Sequence, residues 1–456
     1  MNIRSYKIMS LTVLLIAFSA INASLSLAGT PTSTSHKIDS ILKKVYPASD
    51  PGAAVLVYKD GKLLLRKGYG LANVELNVPV KPEHRFRLAS VTKQFTAIAL
   101  LKLVEQGKLD LDVDIHTYLP NFPDKGHKIS LRQALGHTAG LANYTNNDEF
   151  EAASHVNYKI ADIFKYFQND ILNFTPDTNW DYSNSGYALA AHIMEKVTGT
   201  EFTTLMDELI LKPTDMTNSA FYNPDIIVSG TVTAYEKHGD YSPALKVGTW
   251  GKADGELYST VDDMLKWYLA LRDNKIVSQQ SKQISFTSNK LANGEETKYG
   301  LGQFLGRIGD YNTVEHGGNV SGWNAYTMVV PSEDLFVVIL SNQESGVVGS
   351  AAVQVTALAL GISSRRPTTL TLAPNALKAF IGRYQHAPDD VRVITLEDGT
   401  LYSRRGSGDK YKLVAMESNR FFFDDEPEIQ IQFGEANEIR VQYRNSMDSV
   451  AQRLGG

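Results

Sequence analysis

Apolar positions change rhythm several times along this chain. After a polar Thr/Ser-rich leader at 30–35, Ile38, Ile41, Leu42 and Val45 recur at helical spacing and predict a short amphipathic helix. Two apolar runs follow, 53–58 and 63–67, joined through Lys59-Asp60-Gly61-Lys62. An Asp-Gly pair between such runs predicts a β-hairpin. From Ser90 to about Ala270 the pattern is mostly helical. Helices are expected over 90–105 ahead of Gly107, within 181–198 ahead of Gly199, and over 261–273. Thr260 stands as N-cap of the third, with Asp263 three residues on as an acidic variant of the capping box. Strand rhythm returns at 299–306, 313–319, 325–330 and 335–341, the last two joined by the turn-forming Pro331-Ser332-Glu333-Asp334. Residues 347–360 read as a closing helix.

Strands at both ends with helices between predict an α+β domain: one antiparallel sheet from both chain ends, with an inserted helical block. Arg365-Arg366-Pro367-Thr368-Thr369 reads as linker. Beyond it short alternating runs at 391–396, 401–405, 412–416, 420–423, 429–433 and 439–443, with turns at Asp398-Gly399 and Gly434, predict a small antiparallel barrel or half-barrel. The expected division is a leader at 1–28, a main domain at 29–364, a linker at 365–371 and a β domain at 372–456.

The leader changes the compartment. Arg4 and Lys7 precede an apolar stretch, 11–23, broken only by Thr12, Ser19 and Asn22, and Ser26-Leu27-Ala28 supplies small residues for cleavage after Ala28. That core falls short of the roughly 20 apolar residues a span needs, so the reading is an export signal, a periplasmic or secreted protein, and no membrane span after the signal is removed.

Composition narrows the chemistry. A length of 456 residues points to two domains. The net charge of −5, without a dense Lys/Arg run, argues against a nucleic-acid partner. No cysteine is present, which excludes disulfides, zinc–thiolate sites, iron–sulfur clusters and cysteine nucleophiles. The ten histidines are too scattered for a local metal motif. No metal or cofactor is expected.

Three motifs carry candidate chemistry. In Ser90-Val91-Thr92-Lys93 the serine and lysine, three apart on a helix, share a face, so an amine reaches a hydroxyl that needs a base before it is nucleophilic. The helix start also favours developing negative charge. The pattern recurs at Ser40-Ile41-Leu42-Lys43 and Ser407-Gly408-Asp409-Lys410, both read as solvated surface. Tyr182-Ser183-Asn184 offers a phenol that acts as base only if nearby cations pull its pKa down from about 10. Its rivals are Tyr144-Thr145-Asn146 and Tyr443-Arg444-Asn445. His316-Gly317-Gly318-Asn319 is unique and falls on a predicted strand, where glycines admit a ligand backbone.

In that order and at those separations the three motifs resemble the serine β-lactamase and penicillin-recognising D-peptidase superfamily, and are most similar to its class C-like branch of D-aminopeptidases, D,D-carboxypeptidases and esterases. Flanking stretches agree, among them 86–90, 135–141, 182–187 and 257–260, and the resemblance covers about residues 37–362. It implies a β-lactamase/transpeptidase-like fold with Ser90 as acylated nucleophile and Lys93 as its proton partner. Tyr182 is then general base for attack and general acid for the leaving group. Asn184, His316, Gly317 and Gly318 hold substrate, and the backbone N–H groups of Ser90 and Asn319 form the oxyanion hole. Lys93 and Tyr182 titrate as a coupled pair, so either takes the first proton.

Two positions depart from the pattern. Antibiotic-hydrolysing relatives mostly carry lysine at position 316, whereas histidine, with an ordinary pKa near 6.5, is largely neutral at pH 7. That favours an aminopeptidase or esterase over an enzyme that grips a carboxylate. Glu256 stands where relatives commonly have glycine and reads as a cleft carboxylate or a solvated loop acid. His137 reads as a backbone pin, and Asp262 and Asp263 as helix-start charges. The β domain resembles lipocalin-like barrels appended to some of these hydrolases. The expected function is an exported serine hydrolase that cleaves amide or ester bonds of small D-residue peptides through a Ser90 acyl-enzyme. Alternatives are an esterase, or a penicillin-binding sensor with little turnover. The partner is a small molecule or short peptide; the oligomeric state is left open.

Overall fold

The computed structural model describes residues 33–454 apart from 154, 224–225, 239, 245–250, 345, 363–366, 388–389, 407–409, 425–426, 428, 435–436, 443 and 446–448. The expected signal, the first part of the linker and the Ser407 motif's first three residues lie outside the described residues.

Asp60 and Gly61 both take positive φ, 49° and 77°, which is the turn that matches the twist of a two-residue hairpin. It joins Ala53–Lys59 to Lys62–Tyr69. Ala53–Lys59 then pairs antiparallel with Leu335–Ser341, nearly three hundred residues away, so the sheet is indeed closed from both chain ends. Six strands run in the order Phe304–Ile308, Tyr311–Val320, Trp323–Val330, Leu335–Ser341, Ala53–Lys59, Lys62–Tyr69.

Both faces of the central strands are covered, which is why they read as continuous apolar runs. Val55 and Val57 pack with Val337 and Ile339 against the helices Ser33–Val45 and Val347–Ala359. Leu56 and Tyr58 face the other way, with Val338 and Leu340, toward the helical block. Its central helix, Thr92–Glu105, is buried nearly all round, Lys93 and Gln94 included.

Some expectations need correction. The strand expected at 299–306 begins only at Phe304, because Lys298 and Gly302 adopt left-handed φ of 55° and 77° and turn the chain. The helical block also contains a three-stranded sheet of Phe86–Arg87, Leu257–Ser259 and Ala220–Phe221, pieces too short to show a period of two. Thr260 caps Val261–Arg272 as expected, its hydroxyl accepting from Asp263 N at 3.2 Å. Asp263 lies in the first turn as expected, and its buried carboxylate accepts from Asn218 N at 2.7 Å and Ser219 Oγ at 2.9 Å.

The C-terminal strands close a full eight-stranded antiparallel barrel, not a half-barrel. Two strands beyond the six expected, Gly382–Ala387 and Ser449–Arg453, seal it through Tyr384 opposite Arg453. Ile394, Leu401, Phe421, Ile431 and Ile439 fill its interior. Among the described residues no helix is long and apolar enough to cross a membrane.

Candidate active site

Ser90 lies in a 3₁₀ turn, Ala89–Val91, that runs into the helix Thr92–Glu105. Ala89 holds φ at 46°, a left-handed conformation that costs a non-glycine residue about 1–3 kcal/mol. Neighbours impose it. Leu88 N donates to Leu257 O at 2.8 Å, and the Tyr311–Val320 strand presses on the turn from the other side. A Cβ on Gly318 would collide with Leu88 O and sit 3.0 Å from Ser90 N, so only glycine lets this strand bring Asn319 beside the serine.

One turn along the helix, Lys93 is fully buried. Its Nζ lies 3.2 Å from Ser90 Oγ, 2.7 Å from Asn184 Oδ1 and 3.0 Å from Asp254 O. Burial pulls its pKa down to about 8 against the opposing charge of Asp254. Burial also raises Asp254, which Lys93 and the Tyr144 hydroxyl, donating at 2.7 Å, hold back. The rival Ser40 and Lys43 are exposed on Ser33–Val45.

Tyr182 and Asn184 precede the helix Ser185–Thr198 and are pinned by His137. His137 Nδ1 accepts from Ser183 N at 3.1 Å, its carbonyl accepts from Asp181 N at 3.0 Å, and its ring packs 4.4 Å from that of Tyr182. Asn184 Nδ2 donates to Thr145 Oγ1 at 3.2 Å. The rival Tyr144-Thr145-Asn146 segment is therefore scaffold for this site. The Tyr182 hydroxyl is buried beside Ser90, close enough for the serine to lower its pKa but without the geometry of a formed hydrogen bond. Burial outweighs that pull and holds the phenol well above its ordinary value, hence protonated. Lys93 Nζ sits 4.9 Å from the Tyr182 ring centroid.

His316 occupies the same hollow, yet both ring nitrogens are engaged by the protein. Nδ1 donates to Gly317 O at 2.6 Å, which makes Nε2 the acceptor for the Tyr299 hydroxyl at 3.1 Å. Burial, reinforced by Lys93, lowers its pKa to about 3. His316 therefore presents a neutral ring to the cleft and no free nitrogen.

Ser90, Tyr182, His316, Gly317, Gly318 and Asn319 share a cavity of about 420 Å³, with the barrel's Asn445 in its wall. A second hollow of about 50 Å³ also reaches Ser90 and is lined by Arg87, Asn184, Gly251, Glu256 and Asn319. A larger cavity, about 930 Å³, runs between Val261–Arg272, Gln279–Ser285 and the sheet, but does not touch Ser90. The structure therefore brings every sequence-derived candidate together. Sequence reasoning missed Tyr144, Asp254, Tyr299 and Asn445. Tyr144 and Asn445 had each been flagged, but only as parts of rejected Tyr-x-Asn motifs.

A family model described as Beta-lactamase matches residues 43–360. The chain is similar to Protein flp of Staphylococcus aureus (strain N315), 27% identical over 322 residues, which cover 68% of this chain and 63% of that protein. It is similar also to D-aminopeptidase of Gluconobacter oxydans (strain 621H), 28% identical over 340 residues, 70% of this chain and 62% of that protein. The chain thus spans less than two thirds of these curated relatives' length. Among solved structures, the octameric penicillin-binding protein homologue from Pyrococcus abyssi shares the fold over 91% of this chain and 99% of its own, with a TM-score of 0.66 and 23% identity. The D-amino acid amidase from Ochrobactrum anthropi SV3 does so over 72% and 99%, with a TM-score of 0.62 and 23% identity. With a family model spanning most of the main domain, the chain belongs to the beta-lactamase family of serine hydrolases.

Proposed function

We propose that this chain is an exported hydrolase that cleaves amide bonds of small D-amino-acid peptides through an acyl-enzyme on Ser90. The observation that carries the reading is the contact of Lys93 Nζ with Ser90 Oγ in a buried setting that lowers the amine's pKa to about 8. A neutral amine has two N–H donors, which Asn184 Oδ1 and Asp254 O accept, and one lone pair, which is left for the serine proton.

Lys93 takes that proton as Ser90 Oγ bonds to the substrate carbonyl carbon. The oxyanion is held by the N–H groups of Ser90 and Asn319, each such donor contributing about 3–4 kcal/mol by the usual cost of its loss. The Tyr182 phenol, kept protonated by burial, gives its proton to the departing amine as the C–N bond breaks, and the lysine's proton restores it. This assignment gives the first proton to lysine and the leaving-group proton to tyrosine.

The D-amino-acid choice rests on similarity to a D-aminopeptidase and on His316. A neutral, fully engaged imidazole places no permanent cation where a substrate's terminal carboxylate would bind, which supports amine-bearing or uncharged substrates.

The test is a panel of D-alanine p-nitroanilide, a D-Ala-D-Ala peptide, nitrocefin and a short-chain ester. Preference for the anilide in kcat/KM is expected. Turnover of the ester alone would make this an esterase, and a stoichiometric burst without turnover a sensor. For export, N-terminal sequencing of the mature protein should begin at Gly29; retention of residues 1–28 in the periplasmic or secreted fraction contradicts a cleaved signal.

A further inference from the structure

Ser90 stands between two hollows, and the titratable groups divide between them. Tyr182 and His316 line the wider one. Glu256 lines the narrow one of about 50 Å³, which has room for a water or two but not for a peptide side chain. The acylation chemistry above makes no use of Glu256.

This carboxyl is fully buried. Its Oε1 accepts from Gly251 N at 2.9 Å, while Oε2 has no protein partner. Arg87, also in that wall, is buried with its guanidinium 5.2 Å over the Tyr222 ring, and its Nε is likewise unpartnered. A buried polar atom left unpaired costs about 1–3 kcal/mol. Here an acceptor and a donor are both left so around a water-sized hollow that opens on the nucleophile.

We infer that Glu256 is the general base of deacylation, taking the proton from the water that hydrolyses the Ser90 ester. Water oxygen bonds to the acyl carbon as its proton passes to Glu256 Oε2. The tetrahedral oxyanion then collapses, the bond to Ser90 Oγ breaks, and the alkoxide recovers its proton from the Glu256 carboxyl, which returns to carboxylate. The acid product leaves. The inference rests on the acyl-enzyme reading.

The electrostatics agree. Burial raises Glu256 to about 8, with Asp254 adding to the rise and Arg87, Lys252 and the Gly251 N–H opposing it. A base is most effective near the working pH, which an ordinary carboxylate is not.

The experiment is rapid-mixing hydrolysis of a p-nitrophenyl ester, with intact-mass detection of the acylated protein. In Glu256→Gln the first turnover should persist and an acyl adduct on Ser90 should accumulate, with the deacylation rate down about 100-fold or more. Hydroxylamine, a nucleophile that needs no base, should release that adduct; a merely distorted site would not be rescued. Glu256→Asp keeps a carboxylate, so its acyl-enzyme should outlive the wild type's but decay faster than the glutamine variant's. If the glutamine variant fails to fold, seen as no fluorophosphonate labelling of Ser90, the aspartate variant alone decides by the lifetime of its adduct. Acylation and deacylation falling together, or adduct lifetimes equal to wild type, overturn the role of Glu256 and leave the acyl-enzyme standing. Absence of any Ser90 adduct in wild type and variants sinks the acyl-enzyme reading itself.

Discussion

Arg444 of the barrel grips Glu315 of the main sheet through both ends of its guanidinium fork, Nη1 to Oε1 and Nη2 to Oε2 at 2.6 Å each. Glu315 is fully buried and adjoins His316; the Tyr326 hydroxyl also donates to it, at 2.8 Å. Gly306 makes room for the contact, since a Cβ there would lie 2.5 Å from Glu315 Oε1 and 2.9 Å from Arg444 Nη1. The neighbouring Asn445 is thereby held in the wall of the Ser90 cavity.

Removing one partner of a buried ion pair leaves a bare charge and costs about 3–5 kcal/mol. Arg444→Ala should therefore lower the thermal midpoint clearly, while Arg444→Met combined with Glu315→Gln should lose less than the sum of the two single changes. A double-mutant cycle by thermal or urea unfolding measures the difference. Additive effects would mean that the barrel is not anchored here.

A fluorophosphonate probe should label one serine, Ser90, and Ser90→Ala should abolish both labelling and turnover, with activity down about 10⁴-fold or more. Peptide mapping that finds the adduct elsewhere, with Ser90→Ala still labelled, would overturn the mechanism.

Acylation should follow the ionisation of Lys93. Its folded pKa, about 8, lies below its ordinary value, so the neutral amine grows as pH rises toward 8 and saturates above it. The pre-steady-state acylation rate should climb about tenfold per pH unit below 7 and level off above 8.5. Lys93→Arg keeps a cation that does not deprotonate, and should lose the rate at every pH. A profile that is flat from pH 6 to 9 in the wild type counts against lysine as the base.

His316→Lys replaces a neutral ring with a cation beside the acyl site. At about 4 Å such a charge attracts a carboxylate or repels an ammonium by roughly 1–4 kcal/mol, depending on the effective dielectric. The kcat/KM ratio of a D-Ala-D-Ala peptide to D-alanine p-nitroanilide should rise by more than a few-fold. Because the change also removes the Tyr299 hydrogen bond, both rates should fall, and only the ratio is diagnostic. A ratio that stays put, or moves toward the amine, removes the argument from His316.

The legible parts of this protein are those whose chemistry is written in short spacings. Ser90 and Lys93 announce a shared helical face, and Asp60-Gly61 announces its own turn. Partners far apart in the chain leave no such trace. Tyr144 reaches Asp254 across 110 positions, and Arg444 reaches Glu315 across 129. Tyr144 and Arg444 fall in short Tyr-x-Asn motifs, but nothing local marks either partnership. The barrel's first and last strands hid for the same reason: Gly382–Ala387 and Ser449–Arg453 are largely polar, and their pairing is set by closure rather than by their own rhythm. The strand expected from 299 starts late because Gly302, at a left-handed φ of 77°, turns the chain before Phe304. A Cβ at Gly302 would meet Lys93 O at 2.6 Å.

The narrow seat of Gly318 against Leu88 has a temporal meaning. The strand bearing Asn319 comes more than two hundred residues after the turn bearing Ser90, and Gly318 seats it directly against that turn and its left-handed Ala89. Long-range strand pairing is the slow part of building such a sheet. The nucleophile is then the last thing this protein finishes: in refolding, helical circular dichroism should return first and probe labelling of Ser90 only afterwards. A half-built chain, with its strands still open, is chemically silent.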